Sequence, residues 1–206
     1  MKKRLTALFF VVLFCMNLST VLAAPEVPED IFKWVQSSSR TSYFFNRQQL
    51  CFGKNEDGTL NKDLLIVPVL KVFDDIMIND TVSKRRWNGL NLDGFGDLVG
   101  VAEYTEINLQ TNEISIRQID YLDSTWTTID TLNPERTVAL QDLSEKILDY
   151  KFYARIIDFA KRNQVKLGKR TDSQLSEEDY ISLLGAQEQY RSENKPEKPE
   201  DNEDFS

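Results

Sequence analysis

The chain contains no histidine, and one of its two cysteines, Cys15, falls inside an apolar N-terminal segment. Without imidazole, Ser-His-Asp and Cys-His mechanisms are excluded, as are the common zinc sites; carboxylate chemistry, Ser-Lys pairs and oxygen-ligated cations are left. If Cys15 is removed, Cys51 has no intrachain partner, so no internal disulfide staples the fold. The large apolar neighbours in Phe44-Phe45 and Leu50-Cys51-Phe52 make Cys51 a small buried hydrophobe rather than a nucleophile. Long hydrophobic runs are missing too: Ala7 to Met16 is about half of the roughly 20 residues that a spanning helix needs. Positive charge is scarce, with 25 Lys and Arg against 33 Asp and Glu and a formal net charge of −8. That balance repels phosphate backbones and argues against nucleic-acid binding.

Met1 to Ala23 has the three parts of a secretory signal peptide: basic Lys2-Lys3-Arg4, an apolar run from Leu5 to Met16, and small residues at Ala23-Ala24. Cleavage is expected after Ala23, and the short basic start is bacterial in style. Leu13 and Phe14 are too large to precede a lipidated Cys15. The leader carries three bases and no acid, so its removal takes the net charge from −8 to −11. The expected destination is the periplasm or the medium, with no membrane span after cleavage.

Residues 24–167 carry the patterning of a single α+β domain, large enough to bury a core unaided. Residues 168–191 read as a linker and short helix, and 192–206 as a disordered acidic tail. The expected architecture is an antiparallel sheet of four or five meander-like strands, a short N-terminal helix, and a long amphipathic C-terminal helix packed on the sheet.

Pro28-Glu29-Asp30 suits a helix start, with Ile31, Trp34 and Val35 at helical spacing and Trp34 turned inward. Ser42 to Phe52 reads as one strand with imperfect alternation. Asn55 to Gly58 is a turn leading to a hairpin partner, Leu64 to Phe73, in which Pro68 argues for an edge strand or a bulge. Asp74 to Leu98 reads as irregular, with a short helical turn starting at Asp80 or Thr81. Val99 to Leu109 and Glu113 to Leu122 form the next strands. Ile114 and Ile116 share one parity while Ile119 and Tyr121 share the other, which a bulge near Arg117 or Gln118 reconciles. Ser124 to Thr131 is strand-like. The best helix spans Leu143 to Asn163, with a capping box of Asp142 and Glu145 and a stripe of Leu148, Phe152, Ile156, Phe159 and Ala160. Ser176 caps a further helix, expected to dock on the domain, with service to a partner as the alternative.

Lys84-Arg85-Arg86-Trp87 is the most unusual local chemistry in this acidic chain. Arginine grips carboxylates bidentately and stacks on aromatics. The segment is therefore the expected contact with an envelope protein or an anionic glycan, next to the sheet face that the long helix leaves open. The plainer alternative makes Trp87 a core plug and the bases a solvated face. Asn91 to Asp97 starts like a calcium loop but places Phe95 and Ala102 where oxygen ligands are needed, so no metal is expected. The pair Asp74-Asp75 with Asp93, Asp97, Glu103 and Glu106 are the candidate carboxylates, of which a small hydrolase of cell-wall or glycan material would have to bring Asp75, Asp93, Asp97 or Glu103 together. No catalytic residue and no cofactor is assigned. The expected function is a non-catalytic binding or interaction protein of the bacterial envelope; the alternative is that hydrolase, and a small-ligand carrier is a third option.

Overall fold

The structure, a computed structural model, describes residues 26–134, 136–144 and 148–195; the expected leader and the tail from Pro196 onward lie outside the described residues. Among the described residues eight strands form one antiparallel sheet: β1 (Phe32–Ser37), β2 (Thr41–Asn46), β3 (Cys51–Lys54), β4 (Leu60–Phe73), β5 (Leu98–Asn108), β6 (Glu113–Asp123), β7 (Thr128–Leu132) and β8 (Arg136–Ala139). Their order is β1-β2-β4-β5-β6-β7, with β3 also paired to β4 and β8 also paired to β6. Four helices accompany them among the described residues: α1 (Asp75–Trp87), α2 (Leu148–Arg162), α3 (Gln164–Thr171) and α4 (Glu177–Glu193). The class is α+β on an antiparallel sheet, with eight strands where four or five were expected.

The 14-residue β4 organises the sheet. One of its edges pairs continuously with β5 from Leu64 to Val72. The other edge is shared, with β3 along Leu60 to Ile66 and β2 along Val69 to Phe73. Pro68 falls in the gap between those two partners, so a central strand tolerates a residue with no N–H to donate. The same division explains the imperfect alternation of Ser42 to Phe52: the turn at Arg47 to Gln49 breaks it into two strands.

The expected N-terminal helix is strand β1. Ile31, Trp34 and Val35 satisfy a helical spacing, but over so few residues the period does not discriminate, and the edge of β2 offers a pairing surface. Trp34 pairs with Phe44 and, through it, with Leu70, so it lies on the open face, 57% exposed rather than packed inward. The bulge expected in β6 is present: Tyr104 pairs with Gln118 and Thr105 with Ile116, leaving Arg117 unpaired. Ile114, Ile116, Ile119 and Tyr121 therefore face one way.

That face carries the core. Leu65, Val67 and Val69 of β4, Phe45 of β2 and Ile107 of β5 pack against Phe152, Tyr153, Ile156, Ile157 and Ala160 of α2. Aromatic edges interlock, with Tyr43 and Phe45 of the sheet 5.4 Å and 5.1 Å from the rings of Phe152 and Phe159. The expected stripe is right in kind, although the described helix begins at Leu148 and Glu145 of the expected capping box lies outside the described residues. Leu167 of α3 and Leu183 of α4 are fully buried in the same core, which carries the packed body through α4. Gly168 makes this possible, because an added Cβ would collide with the Leu183 side chain.

Helix α1 replaces most of the stretch expected to be irregular. Asp74, which reads in sequence as half of an acidic pair, is its N-cap and accepts from the Met77 backbone N–H at 2.7 Å. Asp75 sits in the first turn and Lys84, Arg85 and Arg86 in the last, the arrangement that complements the helix dipole. No helix among the described residues is long and apolar enough to cross a membrane.

Candidate functional site

Lys84, Arg85, Arg86 and Trp87 do not form one contact patch. Arg85 turns into the fold and is only 5% exposed. Its Nη2 donates to Asp130 at 2.6 Å and to the Asn91 carbonyl at 3.0 Å. Its guanidinium lies 4.0 Å from the Phe95 ring centroid and 5.2 Å from that of Tyr121. Arg85 thus ties the α1–β5 loop to β6 and β7, while its Nη1 is buried with no hydrogen-bond partner among the described residues. Lys84 and Arg86 are exposed, and Trp87, 91% exposed, is no core plug. Tyr121 alternates with Leu122, so the Arg85 cluster engages the face opposite to the open one that Leu122 floors.

The candidate carboxylates scatter. Asp75 is exposed at the start of α1, and Asp93 is exposed in a turn. Asp97 accepts from the Ser124 hydroxyl at 2.7 Å. Glu103 is buried on the helix-covered face, 2.7 Å from the Lys71 ammonium. No group of three or more metal-ligating side chains exists among the described residues. Burial pushes the Cys51 thiol up, with the Thr171 hydrogen bond and Arg170 only partly opposing it, so thiolate is disfavoured.

What the fold does build is a groove of about 490 Å³ on the sheet face that the helices leave open. Its floor is Pro68 and Leu70 of β4, Ala102 and Tyr104 of β5 and Leu122 of β6. Phe32 of β1 lies towards one edge of the sheet and Thr128 of β7 towards the other, so the groove runs across the strands. Val69 and Glu103 also border it, but alternation sends their side chains to the covered face, and they meet the groove through backbone. The polar lining is Gln49, Asn46, Gln118, Asp120 and Thr128, with no basic side chain among the lining residues. Gln118 Nε2 donates to both Asp120 oxygens at 2.9 Å, and the Thr131 hydroxyl donates to one of them at 2.6 Å.

Trp126 stands at the end of the groove, in the turn between β6 and β7. The Trp126 N–H donates to the Asp123 carbonyl and the Asp123 N–H to the Thr127 carbonyl, which makes a three-residue hairpin loop. Such loops put their last residue in the left-handed region, a position usually given to glycine or asparagine. Here it holds tryptophan, at φ 64°. The turn is clamped from two sides: the Asp123 carboxylate accepts from the backbone N–H of Thr125 and Thr127, and Asp97 accepts from Ser124. A bulky residue in a strained conformation, held by redundant bonds at the lip of a groove, is the pattern expected where function selects the side chain.

Sequence reasoning missed this site. The signal available in sequence is Asp123-Ser124-Thr125-Trp126-Thr127, a turn-forming segment with an aromatic and no glycine. Its threonines give it a strand-like composition that hides the turn. Compared with protein-family models, curated proteins and solved structures, the chain matches none.

Proposed function

We propose that this is a secreted or periplasmic bacterial binding protein without a catalytic role, and that its contact surface is the open sheet face centred on the groove. The leader-like N-terminus supports the location. The single observation that carries the site is Trp126, whose left-handed backbone costs roughly 1–2 kcal/mol relative to a residue at ease there. A turn selected only for stability would hold glycine. Lys84, Arg86 and Trp87 do not line this groove, and Arg85 is paired with Asp130.

The test is a trade between stability and binding. Trp126→Gly relieves the strained backbone and is expected to raise the melting temperature by a few degrees. The same substitution is expected to abolish retention of the groove's ligand when the protein is incubated with envelope extract and its bound species are compared by native mass spectrometry. If the variant is less stable, or retains the same species as the parent, Trp126 is a packing residue and this reading falls.

A further inference from the structure

We infer that the groove takes a neutral oligosaccharide, stacked on Tyr104 and Trp126 and hydrogen-bonded by Gln118 and Asp120. This rests on the reading that the open face is the binding surface, and adds the class of ligand. Four features of the groove narrow that class.

No base lines it and its one side-chain charge is acidic, which disfavours anionic ligands. Asp120 already accepts three hydrogen bonds, from Gln118 and Thr131, which tempers its pull on a free cation. An acyl chain calls for a closed apolar tunnel, whereas this groove is open and amides border its apolar floor. An extended peptide is held mainly by backbone pairing along a strand edge. This groove instead crosses the faces of strands whose backbone groups are already spent on β2–β4, β4–β5 and β5–β6 pairing.

A sugar chain meets all four conditions. Its C–H faces lie flat on aromatic rings, and its adjacent hydroxyls both donate and accept, which suits neighbouring amide and carboxylate groups. Tyr104, 45% exposed on the floor, and Trp126 at the lip supply the two platforms. Gln118 and Asp120, locked together by their mutual bonds, supply a pre-oriented polar pair.

The experiment uses protein expressed from the full-length sequence. Trp34→Phe with Trp87→Phe leaves Trp126 as the sole indole of the three in the chain. Titration with chitotetraose, and separately with maltotetraose, is expected to shift Trp126 emission saturably with at least one of the two sugars in the millimolar range or below. By calorimetry Trp126→Gly and Tyr104→Ala are each expected to weaken that sugar by about tenfold or more, which is about 1.4 kcal/mol. Arg86→Glu, away from the groove, is expected to leave it unchanged. Absence of saturable binding by both sugars overturns the inference. If an oligolysine peptide binds instead and Trp126→Gly removes it, the groove stands as the binding surface and the sugar class falls. If sedimentation shows self-association that Trp126→Gly removes, the occupant is a second copy and the sugar class falls likewise. If Trp126→Gly alters neither sugar, peptide nor self-association, the groove reading falls with it.

Discussion

The two faces of this sheet are built from the same strands, one residue out of phase, yet they solve opposite problems. On the covered face, Leu65, Val67 and Val69 of β4 are sealed by α2. On the other, Ile66, Pro68 and Leu70 alternate with them, and the latter two floor an open groove. The covered face even buries an ion pair, Lys71 with Glu103, beneath the ring of Tyr43. Burial pushes the nearby Tyr153 phenol far above its ordinary value, and Glu103 and Asp149 add to the rise. The open face keeps its polar groups at the rim and its strain in a turn. Stability is thus concentrated on one side of the sheet, which leaves the other free to carry features that cost stability.

The largest effect should come from breaking the covered face. Phe152→Ala removes a fully buried ring that touches both Tyr43 and Tyr153, and is expected to cost about 3–5 kcal/mol by chemical denaturation. Tyr104→Ala, the matched aromatic truncation on the open face, is expected to cost under about 1 kcal/mol. Equal losses would mean that the two faces do not differ in the way described.

Next in size is the buried pair. Lys71→Met strands the Glu103 carboxylate, one of whose oxygens already lacks a partner among the described residues, and is expected to cost about 3 kcal/mol. Lys71→Met with Glu103→Leu is expected to recover most of that loss, because an apolar pair needs no desolvation. A double variant as unstable as the single one would assign the cost to packing rather than to charge.

How far the sequence revealed this division depends on the element. Helix α2 was legible because Phe152, Ile156 and Ala160 repeat at helical spacing over enough turns to exclude a strand. The β6 bulge was legible because an apolar parity that switches within one strand requires an inserted residue if both halves are to face the core. β1 was not, since its identity is set by the edge of β2, which lies beyond the local sequence. α1 was hidden because its faces are nearly equal in polarity; its clearest signal was the Asp74 cap. The Lys84 to Trp87 segment divides for a different reason. A basic run abutting an aromatic looks functional in any sequence, but only the fold shows that Arg85 spends its bonds on Asp130 and Asn91. The strain at Trp126, conversely, is a backbone property invisible without φ.

Gly100 lies where β5 packs closest on the β4 backbone that both faces share, and should give a smaller effect. A Cβ there would fall inside contact distance of the Lys71 carbonyl oxygen, which is backbone and cannot rotate away. Gly100→Ala is expected to cost about 1–3 kcal/mol as β4 and β5 separate locally. Faster amide exchange should appear at Lys71 and Val72 before it appears in α2. Uniform loss of protection would instead make the strand pair and the helix a single cooperative unit.

The smallest expected effect tests the clamp on Trp126 by pH. The Thr125 hydroxyl, and then the backbone N–H groups of Thr127 and Thr125, hold the Asp123 carboxyl below its ordinary range. For a carboxylate lowered on folding, the stabilisation is fully present above the ordinary aspartate range and is lost as pH falls through the lowered value. Near neutrality the turn should therefore be indifferent to pH, and Trp126 emission, read with Trp34 and Trp87 replaced by Phe, should change only at more acid pH than an ordinary aspartate titrates. Asp123→Asn keeps an oxygen that can accept from the same N–H groups but removes the titration, so the acid-side change should shrink. A change of undiminished size in that variant would place the clamp elsewhere, with Asp97 and its bond to Ser124 as the remaining candidate. Trp126 would then be held from the α1–β5 loop, and its position would depend on the same segment that Arg85 fastens to β7.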